Sequence, residues 1–119
     1  MVTAETAEPL ALVVVLTVPL ARLEQFRSFE QQAARIMLAY GGRIEQSVVV
    51  PLPADPQHLK EVHVVTFPSS DAFEAYRADS ELAALAPLRE SAIAATEIWM
   101  GRQGPTYMAE AGARATLRE

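Results

Sequence analysis

The chain predicts an α+β domain in the order β-α-β-β-α-β, with a four-stranded antiparallel sheet. Three observations carry that prediction. Leu10 to Val18 is rich in Val and Leu with no polar alternation. Glu61 to Arg89 passes from a β-branched alternating run, through Phe67-Pro68-Ser69-Ser70, into an Ala-rich stretch whose large apolar residues fall at helical spacing. A further strand-like run, Ile93 to Gly101, closes the second unit. A period of two marks strands and a period of 3.6 marks helices, so the switch between them places the elements along the chain.

Leu10 to Val18 suits a central strand covered on both faces, and Pro19 closes it and starts a helix. From Leu20 to Tyr40, residues Leu23, Phe26, Ala33, Met37 and Tyr40 recur at three- and four-residue steps and larger gaps, with Glu24, Arg27, Gln31 and Arg35 off that line. Gly41-Gly42 supplies the left-handed stop. Arg43 to Val50 alternates as a second strand, and Pro51 to Pro56 is a proline-rich connection that cannot join a ladder. Lys60 to Phe67 is the third strand. Ser69 or Ser70 caps the next helix, with Asp71 in its first turn, where the helix dipole favours an anion. Asp79-Ser80 is a second capping signal, so Glu81 to about Ala94 forms a separate helical piece, bent or shortened ahead of Pro87. Met1 to Pro9 reads as a loose leader, 10–101 as the domain, and 102–119 as a tail, an arm or a frayed helix with Tyr107, Met108 and Leu117 as its larger apolar residues.

Composition narrows the function classes. The 119 residues fit one domain, half of them hydrophobic, with no cysteine, which rules out disulfides, thiolate metal sites and cysteine nucleophiles. A reducing cytoplasm suits such a chain. The net charge of −5, with its ten basic residues scattered, argues against nucleic acid. Leu10 to Leu16 is far too short to span a membrane, and no basic segment precedes it as a signal peptide would require. Four strands with two helices on one face leave the other face bare. Strands this apolar call for a second copy to cover it, so the expected unit is a homodimer paired through the open sheet face.

Phe67-Pro68-Ser69, followed by Asp71-Ala72, Tyr76, Ser80-Glu81, Leu85 and Arg89, together with the Gly41 to Arg43 entry to the second strand, resembles the signature of a small family of uncharacterised bacterial proteins, the domain of unknown function numbered thirteen-thirty. The resemblance runs from about Leu10 to Gly101. It implies a ferredoxin-like fold that dimerises into an α/β barrel. Its superfamily holds cofactor-free monooxygenases, polyketide cyclases, haem-degrading enzymes and stress proteins, and the fold alone does not choose among them. The Pro51 to Leu59 loop and the tail lie outside the resemblance.

Strand parity supplies candidate residues. On the third strand Glu61, His63, Val65 and Phe67 share one face, and Val62, Val64 and Thr66 share the other. If the second set packs on the helices, His63 points into the dimer barrel. Arg43, Glu45, Ser47 and Val49 then join it from the second strand, and Ala95, Glu97 and Trp99 from the fourth. The expected site is a small-molecule cavity without a cofactor, in which His63 is the acid or base and Arg43, Glu45, Glu61, Glu97 and Trp99 bind ligand. A carboxylate beside an imidazole tunes it for proton abstraction next to a carbonyl. The alternative is a non-catalytic dimerisation or stress-related module in which His63 is merely satisfied by Glu61, Glu97 or the partner, and Arg43, Glu45 and Glu97 form an ion-pair network at the seam. Metal binding would draw on His58, Glu61 and His63, a set without the helical i, i+4 pair of zinc proteases, and no metal is expected. Arg89 either anchors a helix end or meets an anionic ligand, and Tyr40 and Tyr76 read as core residues with a phenol at the rim.

Overall fold

The computed structural model describes residues 8–107. Of the expected leader and tail, residues 1–7 and 108–119, Met108 and Leu117 among them, lie outside the described residues. Four strands, β1 (Leu10–Pro19), β2 (Arg43–Pro51), β3 (His58–Phe67) and β4 (Ala95–Gly101), form one antiparallel sheet in the order β2-β3-β1-β4. Helix α1 (Leu23–Leu38) lies between β1 and β2 in the chain, and α2 (Ser70–Arg77), α3 (Ser80–Ala84) and α4 (Ala86–Ala92) lie between β3 and β4. No helix among the described residues is long and apolar enough to cross a membrane.

Local signals set the boundaries. Pro19 holds extended backbone, and a single 3₁₀ turn, Leu20–Arg22, leads into α1, which therefore starts three residues later than its apolar spacing suggests. The helix ends where Gly41 adopts a φ of 76°, open to glycine at little cost, and the Gly42 N–H returns to the Met37 carbonyl at 3.0 Å. Ser69 Oγ caps α2 by accepting from the Ala72 N–H at 3.1 Å. Asp79 Oδ1 caps α3 by accepting from the N–H groups of Glu81 and Leu82, while its Oδ2 accepts from the Tyr40 hydroxyl at 2.5 Å. That bond ties the end of α1 to the start of α3; it holds the Asp79 carboxyl below its usual range and pushes the Tyr40 phenol up. The chain breaks at Leu85 into two short helices, because Pro87 fits only the first turn of a new one.

The helices cover one face of the sheet, and the cross-strand register states which side chains they cover. Opposite residues of an antiparallel pair share a face. Leu12, Val14, Leu16 and Val18 on β1 stand opposite Val65, His63, Glu61 and Leu59 on β3, and Met100, Ile98 and Thr96 on β4 extend the same rows. Two apolar clusters result. Leu12, Met37, Val65, Phe67 and Phe73 form one, and Leu16, Val18, Phe26, Leu59 and Ala92 the other.

This overturns the expected parity of β3. Its odd-numbered set, Leu59, Glu61, His63, Val65 and Phe67, is buried beneath the helices, and Val62, Val64 and Thr66 face the open side. Volume decides it. The helices need deep anchors, and Phe67 and Leu59 with Leu12 and Leu16 supply them, whereas Val62 and Val64 are small enough to sit flat on an exposed sheet. Glu61 and His63 are carried inward by this register, and burial is tolerated because they bond each other.

A bulge at Glu45 makes a second correction. Ile44 pairs with Val65, but the next pair is Gln46 with Val64, so the parity of β2 reverses after Glu45. Ile44, Ser47 and Val49 consequently share rows with the helix face, and Arg43, Gln46, Val48 and Val50 with the open face.

Candidate functional site

A cavity of about 550 Å³ lies between the sheet and the helices. Most of its wall is apolar, with Leu12, Phe29, Met37, Val65, Phe73 and Ile98 from both layers. Its polar groups are few: Glu30 from α1, His63 from β3, Tyr76 and Arg77 from α2, Arg89 from α4, and Thr96 from β4. Such a concave apolar space with a small number of polar groups is the ordinary form of a small-molecule site.

His63 is at the centre of the polar set. Its side chain is only 4% exposed, and its Nε2 lies 2.9 Å from Glu61 Oε2, itself on a side chain 9% exposed. Because the Glu61 carboxylate accepts, Nε2 is the donor of this pair, and Nδ1 is the ring nitrogen left to face the cavity. No hydrogen bond reaches Nδ1 among the described residues; the nearest charged atom is Glu30 Oε1, 3.8 Å away. Behind His63, the other oxygen of Glu61 is buried without a hydrogen bond and faces the Arg27 guanidinium at 3.5 Å. The order from surface to cavity is Arg27, Glu61, His63, Glu30.

Glu30 is the residue that the sequence pattern missed. Its carboxyl is pushed above the usual range, chiefly by burial; the His63 and Arg89 charges pull it down, and Glu61 pushes it up. A group whose folded pKa is raised contributes stability that is present below its unfolded value and lost as pH rises through the folded one. Glu30 at neutral pH is thus held at a cost to the fold. The signal for it lay in a gap: the apolar line of α1 runs 23, 26, 33, 37, 40, and the step it skips is 30, a carboxylate on the core-facing side.

Two further groups complete the wall. The Tyr76 phenol is pushed up to about 12, first by burial and then by the Glu30 charge, so it stays a hydrogen-bond donor. Arg89 donates from Nη2 to Thr96 Oγ1 at 2.9 Å and forms no ion pair among the described residues, so it is both anchored and available to an anion. Arg77 instead lies over the Phe73 ring, 5.5 Å from its centre.

The remaining expected site residues lie elsewhere. Arg43, Glu97 and Trp99 share rows with Thr66, Val15 and Val13 on the open face, and Glu45 accepts from the Thr66 hydroxyl at 2.8 Å on that side. The single cavity expected from parity is therefore two regions: Glu61 and His63 beneath the helices, and Arg43, Glu45, Glu97 and Trp99 across the sheet from them. His58 falls on the other face of β3 from Glu61 and His63, and its Nδ1 lies 3.0 Å from Asp55 Oδ2, so those three do not converge.

No protein-family model matches the chain, and comparison with curated proteins likewise gives no match. Solved structures do match. A protein of unknown function from Rhodopseudomonas palustris superposes with a TM-score of 0.70 at 14% identity, over 84% of this chain and 85% of that one. SnoaB, a cofactor-independent oxygenase from Streptomyces nogalater, gives 0.61 at 15% identity, over 84% and 97%. A candidate antibiotic biosynthesis monooxygenase from Nitrosomonas europaea gives 0.63 at 11% identity, over 82% and 92%. The fold is ferredoxin-like. At these identities the likeness establishes the fold alone, and the expected membership of the family numbered thirteen-thirty gains no support, since no family model matches.

Proposed function

We propose that this protein binds a small, largely apolar molecule between its sheet and its helices and acts as a cofactor-independent enzyme with His63 as the acid–base group. The observation that carries the reading is the state of His63. It is an almost fully buried imidazole whose Nε2 is fixed by Glu61, while Nδ1 has no hydrogen bond among the described residues and opens on a largely apolar cavity. Fixing the tautomer from behind and leaving a lone pair in front is the arrangement that general-base catalysis requires. That SnoaB, a cofactor-independent oxygenase, has this fold agrees with the reading.

The same reading gives the open face to a second copy. Val48, Val62, Val15, Val64, Val13 and Trp99 occupy adjoining positions in two rows across the four strands, with Trp99 65% exposed. Arg43, Glu45, Lys60 and Glu97 stand around them. An apolar centre inside a charged rim is the composition of a protein interface, and in this reading Arg43, Glu45, Glu97 and Trp99 belong to the dimer seam.

A thermal-shift screen of small keto and hydroxy compounds tests the function. A ligand at a hundredfold excess over its Kd stabilises by about 2.7 kcal/mol, roughly 10 °C for a domain of this size. His63→Gln should fold with a similar melting temperature and lose most of that shift. Equal stabilisation of wild type and variant would contradict the reading, as would a screen in which nothing stabilises the wild type.

A further inference from the structure

We infer that Glu30 is a second catalytic group of this cavity: it exchanges a proton directly with a weakly acidic O–H, or a C–H beside a carbonyl, on an apolar ligand, and His63 is the relay behind it. The inference rests on the small-molecule reading above and adds the group that touches the ligand.

Position argues for it. Glu30 and His63 both line the cavity, whereas Glu61 lies behind His63 and does not. Of the two, Glu30 is the more accessible, 18% exposed against 4%. Its Oε1 and His63 Nδ1 are 3.8 Å apart, too far to bond each other, and no hydrogen bond to either is present among the described residues. A ligand hydroxyl seated there would donate to one of them and lie within reach of the other. The wall around that point is apolar, so the ligand's remaining body is apolar too.

The step balances without another reactant. The ligand's O–H or C–H bond breaks, its electron pair stays on the ligand as an oxyanion or enolate, and the proton goes to a Glu30 oxygen. Passing that proton on to Nδ1 by way of the ligand oxygen between them leaves an imidazolium flanked by two carboxylates, Glu30 and Glu61, which stabilise it. The charged and titratable groups facing this point are Arg27 and Glu30 on α1, Glu61 and His63 on β3, Tyr76 and Arg77 on α2, and Arg89 on α4. Arg89, without an ion-pair partner among the described residues, is the positive charge available to the new anion. A carboxylic acid whose affinity for its proton is raised by burial is a stronger base than an exposed one, which suits this role.

Carboxyl-carbon NMR titration of the isotopically labelled protein tests the inference. Glu30 should titrate above the ordinary glutamate range, higher still in His63→Gln, which removes the His63 interaction that pulls it down, and lower in Glu61→Gln, which removes the one that pushes it up. Adding 2-naphthol, an apolar molecule with one weakly acidic hydroxyl, should shift the Glu30 carboxyl signal together with the methyl signals of Met37 and Ile98. A Glu30 that titrates in the ordinary range, or that His63→Gln leaves unmoved, overturns the inference. Shifts of the cavity methyls without Glu30 overturn it and leave the small-molecule reading standing. If neither methyls nor carboxyl respond, that reading falls as well.

Discussion

Replacing Phe67 with alanine should cost the fold about 3 to 5 kcal/mol, a large part of the stability of any domain this size. Phe67 is 2% exposed, and its ring lies 5.3 Å from Phe73 and 5.4 Å from Tyr76, centre to centre. It ends β3, joins that strand to α2 and forms part of the cavity wall. It also explains Gly42: a methyl group there would sit 2.4 Å from Phe67 Cε2 and 2.6 Å from Met37 Cγ. Gly42→Ala should therefore cost about 1 to 3 kcal/mol through overpacking. The two changes share one space, so their effects should not add: Phe67→Leu should relieve much of the penalty of Gly42→Ala. Denaturant unfolding of the two single variants and the double variant measures that coupling. Additive losses would mean that the glycine is required for some reason other than the aromatic ring against it.

A charge at the middle of the open face should break the proposed dimer while sparing the protomer. Val64→Glu adds one carboxylate to each copy, and closing the seam would bury both. An unpaired buried charge costs several kcal/mol, so association should weaken by roughly a thousandfold or more. The protomer should keep its helical circular-dichroism signal, because Val64 lies on the side of the sheet away from the helices and the cavity. Sedimentation at micromolar concentration reads the result directly. A wild type that sediments as a monomer, or a Val64→Glu variant that still pairs, contradicts a dimer through this face.

The order of elements was legible in the sequence because each boundary carries its own chemistry. Pro19, Gly41, Ser69, Asp79 and Pro87 act within a few residues of where they stand, and the structure puts an element boundary beside each. The sides of the strands were harder to read. On β3 the odd set contains a glutamate and a histidine and the even set contains two valines, so local polarity pointed the wrong way. What reversed it was the volume of Phe67 and Leu59 and their register with Leu10 and Val18, which only the assembled sheet supplies. The bulge at Glu45 is of the same kind: one unpaired residue exchanges the two faces of β2 downstream, and nothing in Arg43 to Val50 announces it. Glu30 was readable in principle, as a missing step in an apolar series. A lone carboxylate on a helix usually faces water, and only its neighbours His63 and Arg89, remote in sequence, give it a role.

These corrections move the proposed chemistry from the dimer seam to the space beneath the helices, and one measurement separates the two locations. Methyl NMR spectra of the protein should be recorded with and without a compound that raises its melting temperature. The Met37, Ile44, Val65 and Ile98 methyls, which line the cavity, should shift, and those of Val13, Val48, Val62 and Val64, which cover the open face, should stay where they are. Shifts confined to the four open-face valines would contradict the account and return the ligand to the other side of the sheet.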